Sequence, residues 1–243
     1  MALLYVGIWA ALAKVVDREL LLPTPASVAV SLMGLLGQGG FWQSIACSLG
    51  RILLGYLIGV LLALLLTLLC VLSALARAVF APLLRIISAM PVASFILLAL
   101  VWLPSSRVPV LTTALMVLPV VFGPLYRAVL DVDASLLEMM RFFGLPRRVL
   151  LSKLYLPSVA PQGIAACITA QGLAWKAGIA AEVLATPLHS IGKGIYETKL
   201  YLETPELFAW TAVVILLSLL FEWLVRRAAH RAWVEPPEEK PHD

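Results

Sequence analysis

The chain is poor in charge, histidine and cysteine. Only 13% of its 243 residues are Asp, Glu, Lys or Arg, against about 25% in soluble domains. Its three cysteines show no C-x-x-C spacing, and His189 has no second ligand near it, so the sequence predicts no metal site. The motifs H-E-x-x-H and G-x-S-x-G are also absent. The net charge is only +4, so the composition does not indicate a nucleic-acid-binding protein either.

Apolar residues make up 62% of the sequence. A soluble core cannot hide that much apolar surface, so lipid must solvate much of the chain. A membrane-spanning helix needs about 20 mainly apolar residues. The sequence therefore predicts an all-α membrane protein with about six transmembrane helices. The predicted spans are residues 2–16, 48–74, 83–103, 108–127, 162–185 and 208–228.

The first predicted span is short, and no Lys or Arg precedes it. Its Ala11-Leu12-Ala13 sequence resembles a signal-peptide cleavage site, but a signal peptide normally starts with a basic region. A first membrane helix is the favoured interpretation of residues 2–16, and a signal peptide is the alternative.

Basic residues orient the chain, because cytoplasmic loops of membrane proteins are enriched in Lys and Arg. If the amino terminus is cytoplasmic, the inside segments hold 11 of the 18 Lys and Arg residues. This bias places residues 131–157 in the cytoplasm and residues 17–47 on the opposite side of a cell membrane.

The segment 17–47 is predicted to carry a short amphipathic helix on the membrane surface. Thr24 suits a helix cap and Pro25 suits the first helical position. Gly37, Gly39 and Gly40 are expected to end this helix. At the other end of the chain, the polar, Pro-rich residues 235–243 predict a disordered tail.

Residues 131–157 predict two short helices joined by a tight corner. Acids precede the first helix, and Gly144 can adopt the left-handed conformation that ends it. Pro146 then suits the first turn of the second helix, which is expected to run from Arg147 to Leu156 and to close at Pro157.

The first of these helices has an apolar stripe formed by Leu136, Leu137, Met140 and Phe143. Such a stripe suits an apolar groove on a partner, with Arg141 and its basic neighbours at the rim. An ordinary basic loop that touches lipid headgroups is the alternative, and composition alone does not separate the two.

Motif spacing favours the first interpretation. The segment resembles the E-A-A-x3-G-x9-I-x-L-P motif of ATP-binding cassette (ABC) importer permeases. Glu138, Gly144, Leu156 and Pro157 occupy its fixed positions, and Leu154 replaces the isoleucine. The two alanines are replaced by Met139 and Met140. Leu22-Pro23-Thr24-Pro25 and Ser48-Leu49-Gly50-Arg51 further resemble the nitrate, sulfonate and taurine branch, over about residues 20–230.

The resemblance implies a permease domain over residues 1–234 that contains a cytoplasmic coupling segment, residues 131–157. In this family the motif forms a coupling helix that sits in a cleft of a separate ATPase subunit. The implied partners are a second permease copy, two ATPase subunits and an extracytoplasmic solute-binding protein, together with membrane lipid. The implied coupling residues are Glu138, Met139, Met140, Arg141, Gly144, Leu145, Pro146, Leu154, Leu156 and Pro157.

The sequence contains no G-x-x-x-x-G-K-[ST] motif, and Gly192-Lys193-Gly194 lacks both the spacing and the hydroxyl residue. This chain is therefore not expected to bind a cofactor or to act as an enzyme. ATP and Mg²⁺ would be bound by the partner ATPase.

The span 162–185 carries two stripes. Ala166, Ala170, Ala174 and Gly178 form a small-residue ridge that predicts close helix packing, against a neighbouring helix or a partner protomer. The second stripe can line a solute path, and it consists of Gln171, Trp175, Gly178 and Glu182.

Lys176 lies near the middle of the same span, where a cation costs about 2.5–3.5 kcal/mol on insertion scales. It therefore needs a cavity or a partner. It is interpreted as attracting an anionic solute. A structural pair, for instance with Glu182 of a second protomer, or an amine that reaches the membrane surface is the alternative.

The leading function is thus ATP-driven import of a small solute, with an anion favoured. The resemblance implies nitrate, a sulfonate, taurine or a related organic precursor as the solute. A passive channel or secondary transporter is the first alternative. An intramembrane enzyme is less favoured, because the acids near the spans, Glu182 and Glu222, are far apart in sequence and predicted to lie on opposite sides.

Overall fold

The computed structural model describes residues 2–232, and the side chains of residues 4–227; the predicted tail 235–243 lies outside them. All regular elements in this part of the chain are helical. They are α1 (Ala2–Val16), α2 (Pro25–Leu36), α3 (Gly39–Leu72), α4 (Ala74–Ala89), α5 (Val92–Trp102), α6 (Val108–Leu130), α7 (Ala134–Phe142), α8 (Arg147–Leu150), a π-helical turn (Leu151–Tyr155), α9 (Leu156–Ala185), α10 (Ile191–Leu200) and α11 (Thr204–Ala232).

Four helical stretches in the described residues are long and apolar enough to cross a membrane: α3, α6, α11 and the continuous stretch Arg147–Ala185. Helices α4 and α5 add a fifth if they are counted together. The fold class is confirmed as an all-α membrane protein. The predicted count of six spans is not confirmed, because α1 and α2 are shorter apolar helices.

The predicted third span, residues 83–103, is a bent pair instead of one helix. Helices α4 and α5 meet at 107° around Pro91. Pro91 lacks a backbone N–H and disfavours helical geometry in the residue before it, Met90, which is extended. Pro119 and Pro124, by contrast, lie inside the single helix α6.

Helix α2 begins as predicted. The Thr24 hydroxyl accepts a hydrogen bond from the Ser27 backbone N–H at 3.2 Å, and Pro25 occupies the first turn. The helix ends at Leu36, but Gly39 and Gly40 do not belong to its end. They form the start of α3 instead, since Gln38 is the extended residue that precedes that helix.

The centre of the fold is a close three-helix contact in which α6 packs against both α9 and α3. On α3, Gly55 and Gly59 bring the backbone against Thr113 and Val117 of α6. On α9, the ridge from Ala166 to Gly178 is buried, and Gly178 lies against Ile52 of α3. The predicted packing face therefore contacts helices of the same chain.

Pro157 does not close a helix, contrary to the sequence prediction. Residues Arg147–Ala185 run on as one helical stretch, and Pro157 lies in the first turn of α9. The preceding π turn explains why: the Leu156 N–H donates to the Leu151 carbonyl, five residues back. Such a turn shifts the hydrogen-bond register, so a proline without an N–H is accommodated next to it.

Candidate functional site

The coupling segment lies between the spanning helices α6 and α9, where the sequence places it. Its first helix, α7, begins at Asp133, whose carboxylate accepts hydrogen bonds from the Ser135 hydroxyl at 2.7 Å and the Ser135 N–H at 2.8 Å. These bonds, the hydroxyl first, lower the pKa of the Asp133 carboxyl. The charged cap thus fixes where α7 starts.

Gly144 forms the predicted corner, with a φ of +63°. The Leu145 N–H donates to the Met140 carbonyl at 3.2 Å, and the Gly144 N–H donates to the Arg141 carbonyl at 3.0 Å. This pair of bonds is the Schellman motif, which ends a helix with a left-handed residue. Pro146, in extended conformation, then precedes α8 and is not its first helical residue.

Helix α7 and the turn after it expose large apolar side chains although they lie outside the candidate spans. Phe142 is 87% exposed and Phe143 is 69% exposed. Leu136, Met139 and Leu145 are exposed as well, whereas Leu137 and Met140 of the predicted stripe are partly buried. Exposed apolar side chains grouped on one short segment are typical of interaction surfaces.

The remaining predicted coupling residues are spread along the same segment. Glu138, Arg141, Pro146, Leu156 and Pro157 are exposed, whereas Leu154 is buried. Their role in coupling stays a prediction.

Three of the four predicted path residues lie in the interior of the chain. The Gln171 amide donates to the Ser218 carbonyl at 3.5 Å, and the Trp175 indole N–H donates to the Val214 carbonyl at 3.0 Å. Both bonds tie α9 to α11. Glu182 is fully buried on the α3 side. Their predicted place along a solute path stays a prediction.

Lys176 faces the other way. It is exposed, on the side of α9 that carries Thr169 and Ala180 and that points away from the buried ridge. It makes no ion pair within the described residues, and Glu182 is already paired in its own chain. An uncompensated cation inside a membrane-spanning stretch requires water or a second protein surface beside it.

Glu182 is the centre of a network that sequence reasoning missed. Its carboxylate accepts hydrogen bonds from the Ser48 hydroxyl at 2.6 Å, the Arg51 guanidinium at 3.1 Å and the Gly192 N–H at 3.3 Å. Arg51 also donates to the carbonyls of Leu188 and His189. The sequence does show Ser48, Arg51 and Glu182 inside apolar runs. Because buried charges need partners, this pattern indicates that Arg51 and Glu182 have partners in the interior.

A cavity of about 410 Å³ opens beside this network, between the start of α3 and helices α10 and α11. Its lining mixes apolar side chains with charged ones, which include Lys193, Glu197, Glu203 and Glu206. Lys193 and Glu197 form an ion pair at 3.5 Å. Among the residues described, no group of three or more His, Cys, Asp or Glu side chains is placed to hold a metal ion.

Comparison with known proteins identifies the family of this chain. Residues 55–234 match the family model described as "Binding-protein-dependent transport system inner membrane component". The chain is 27% identical over 213 residues to a probable ABC transporter permease protein of Brucella melitensis, covering 86% of this chain and 85% of that one. It is 23% identical over 221 residues to the taurine transport system permease protein TauC of Escherichia coli, covering 87% and 79%.

A third relative is the putative aliphatic sulfonates transport permease protein SsuC of Escherichia coli. It is 30% identical over 165 residues, covering 68% of this chain and 63% of that protein. Among solved structures, an amino acid ABC transporter shares the fold, with a TM-score of 0.61 and 17% identity over 76% of this chain and 90% of that one. The family model covers most of the chain, from within α3 onward. The chain therefore belongs to the binding-protein-dependent inner membrane components, the membrane-spanning permeases of ABC importers.

Proposed function

We propose that two copies of this chain form the translocation unit of an importer for a small anion of the sulfonate type. The coupling segment of each copy docks in a cleft of one ATPase subunit, and an extracytoplasmic solute-binding protein delivers the solute. ATP and Mg²⁺ are bound by the ATPase subunits. The observation that carries this proposal is the apolar patch around Phe142 and Phe143, exposed on a capped helix outside the membrane.

The coupling role depends on the shape of the corner as well as on its apolar surface. The Schellman turn at Gly144 fixes the angle between α7 and the membrane-spanning stretch that follows it in the chain. A rigid corner can transmit a displacement of its partner into α9, whereas a flexible loop would absorb it. The Asp133 cap and the Gly144 turn together make both ends of α7 well defined.

The corner is tested by replacing Gly144. A Cβ there meets no atom within 4 Å, so the strain of Gly144→Val comes from its positive φ alone. A left-handed residue with a Cβ costs about 1–2 kcal/mol, which corresponds to about a tenfold loss of ATPase retained on the purified permease. Pull-down of the ATPase subunit with membrane-extracted permease measures this.

Gly144→Asn is the matched control, because asparagine tolerates the left-handed conformation. It should retain the ATPase at a level close to the unmodified chain. Normal co-purification of the Val variant would show that the corner's shape does not determine docking.

Lys176 supports the choice of an anion. Its side chain is exposed and forms no ion pair within the described residues. In the proposed dimer it faces a water-filled cavity between the two copies. Taurine and aliphatic sulfonates, named for two relatives, carry a sulfonate group that a lysine attracts. The proposal therefore assigns the solute path to the α9 face of Lys176.

Lys176→Met is expected to lower the rate of taurine or alkanesulfonate uptake at least about tenfold, because removing a charge partner of a desolvated anion costs a few kcal/mol. Lys176→Arg retains the charge and should lose less. Uptake into proteoliposomes that contain the full complex measures both variants. Uptake and thermal stability that are unchanged in the Met variant would remove Lys176 from the path.

A further inference from the structure

A second cavity lies at the cytoplasmic end of the chain, where the predicted orientation places the coupling segment. It has a volume of about 930 Å³ and is bounded by the last turns of α3, the end of α6 and the stretch from α8 into α9. We refer to it as the cytoplasmic groove. Part of its lining, including Arg141 and Leu156, belongs to the coupling segment. The exposed side chains of Phe142 and Phe143, on which the proposed docking rests, do not line it, so the occupant of the groove is a separate question.

One wall of the cytoplasmic groove is formed by apolar side chains of a spanning helix. Leu64, Leu68 and Leu72 of α3 follow one another at four-residue intervals and are 47%, 56% and 75% exposed. Residues spaced in this way lie on one helix face. Since α3 is a candidate span and stays apolar up to its last residue, Leu72, we infer that this wall lies at the depth of lipid tails and that the groove opens toward lipid.

The rim of the groove is basic. Arg141, Arg147 and Arg148 line it, and none of the three forms an ion pair within the described residues. No acidic residue is among those that line the groove in the described part of the chain. The hydroxyl-bearing residues Ser152 and Tyr155 lie on the same side. The rim thus offers three unpaired cations to an anion at the membrane surface.

An apolar wall at tail depth below a rim of arginines matches an anionic phospholipid. The acyl chains would lie along α3, and the phosphate would accept hydrogen bonds from the guanidinium groups, which suit phosphate oxygens. A soluble partner can reach the arginines but not the α3 wall. A second copy would have to bring carboxylates to the same place. We propose that the cytoplasmic groove binds one anionic phospholipid of the inner leaflet.

The test uses the full chain, purified in detergent and incubated with equal amounts of phosphatidylglycerol and phosphatidylcholine of the same acyl length. Native mass spectrometry counts the lipids retained. The unmodified chain should retain phosphatidylglycerol in preference. Each arginine near an anionic headgroup contributes about fivefold, so Arg147→Gln/Arg148→Gln should lower the preference by about 25-fold.

Arg77→Gln/Arg85→Gln is the matched control. It removes the same charge from exposed positions of α4 that do not line the groove, and it should keep the lipid preference. Val71→Trp, which fills the groove from α3, should lower the retention of both lipids. An excess of inorganic phosphate should not displace the bound phosphatidylglycerol, because it lacks acyl chains.

Equal retention of the two lipids by the unmodified chain would overturn the proposal, as would a control double variant that loses the preference just as strongly. Displacement of the bound phosphatidylglycerol by inorganic phosphate would also overturn the proposal, because it would show that the groove binds an anion but not the acyl chains. Release of the lipid when the permease assembles with its ATPase or with a second copy would assign the groove to that protein partner instead.

Discussion

Replacing Glu182 with alanine is expected to destabilise the folded chain by about 3–5 kcal/mol, the usual cost of breaking a buried ion pair. The Glu182 side chain is fully buried, and the Arg51 side chain is only 17% exposed. Without the carboxylate, the Arg51 guanidinium stays in the interior without a counter-charge. The Ser48 hydroxyl and the Gly192 N–H each lose an acceptor as well.

The same substitution should loosen the connection that follows α9. Arg51 holds the carbonyls of Leu188 and His189 at 2.9 and 3.1 Å, and the Ile191 N–H donates to the Ser48 hydroxyl at 2.9 Å. Glu182 positions both Ser48 and Arg51, so its loss frees this connection from α3. Thermal unfolding of the purified chain in detergent, followed by tryptophan fluorescence, measures the loss of stability.

Two further variants separate charge from hydrogen bonding. Glu182→Gln keeps the shape and one acceptor oxygen, and should lie between the unmodified chain and the alanine variant. The double variant Glu182→Leu/Arg51→Met removes both charges and should recover part of the lost stability, since apolar residues often replace a buried ion pair without loss. A Glu182→Ala variant that unfolds at the normal temperature would show that the network contributes nothing to stability.

The second large effect is expected at the contact between α3 and α6. A Cβ added to Gly55 would lie 2.6 Å from the Val110 carbonyl oxygen and 2.7 Å from the Thr113 Cβ. A Cβ added to Gly59 would lie 2.7 Å from the Ala114 carbonyl oxygen and 2.8 Å from the Val117 Cβ. These distances involve backbone and Cβ atoms that no rotamer change can move.

The double variant Gly55→Ala/Gly59→Ala must therefore push the two helices apart. Overpacking costs about 1–3 kcal/mol at each site, so the double variant should lose several kcal/mol and accumulate poorly in the membrane. Gly50→Ala on the same helix is the control, because nothing lies within 4 Å of its Cβ position. If the double variant matches Gly50→Ala in membrane level and melting temperature, α3 and α6 do not approach this closely.

Local signals in the sequence predict the local structure well. Thr24 followed by Pro25 marks the start of α2, and Gly144 marks the corner, because each depends on the conformation of one or two residues. The predicted small-residue ridge on α9 is likewise buried, since its spacing alone defines a helix face.

Other local rules fail where a second feature intervenes. Pro157 reads as a helix end, but the π turn before it lets the helix continue. Gly39 and Gly40 read as a helix end as well, although they lie on the far side of an extended residue, where α3 begins. In each case the conformation of the neighbouring backbone determines where the helix begins or ends, and the sequence alone does not reveal that conformation.

The partners of Glu182 could not be predicted from the sequence, because they are distant in the chain. Ser48 and Glu182 are 134 residues apart, so only the packing of α3 against α9 brings them together. The sequence suggested that Glu182 either lines a solute path or pairs with Lys176 of another copy. In the structure its ion-pair partner is Arg51 of its own chain.

The uninterrupted stretch Arg147–Ala185 has a mechanical consequence. Its 39 residues extend for about 58 Å at 1.5 Å per residue, roughly twice the thickness of the lipid hydrocarbon layer. One end adjoins the Gly144 turn, and the other carries Glu182 and its attachment to the loop beyond. If the helix pivots within the membrane, a tilt of its inner end moves its outer end in the opposite direction. One rotation of this helix would then open the solute path on one side of the membrane and close it on the other.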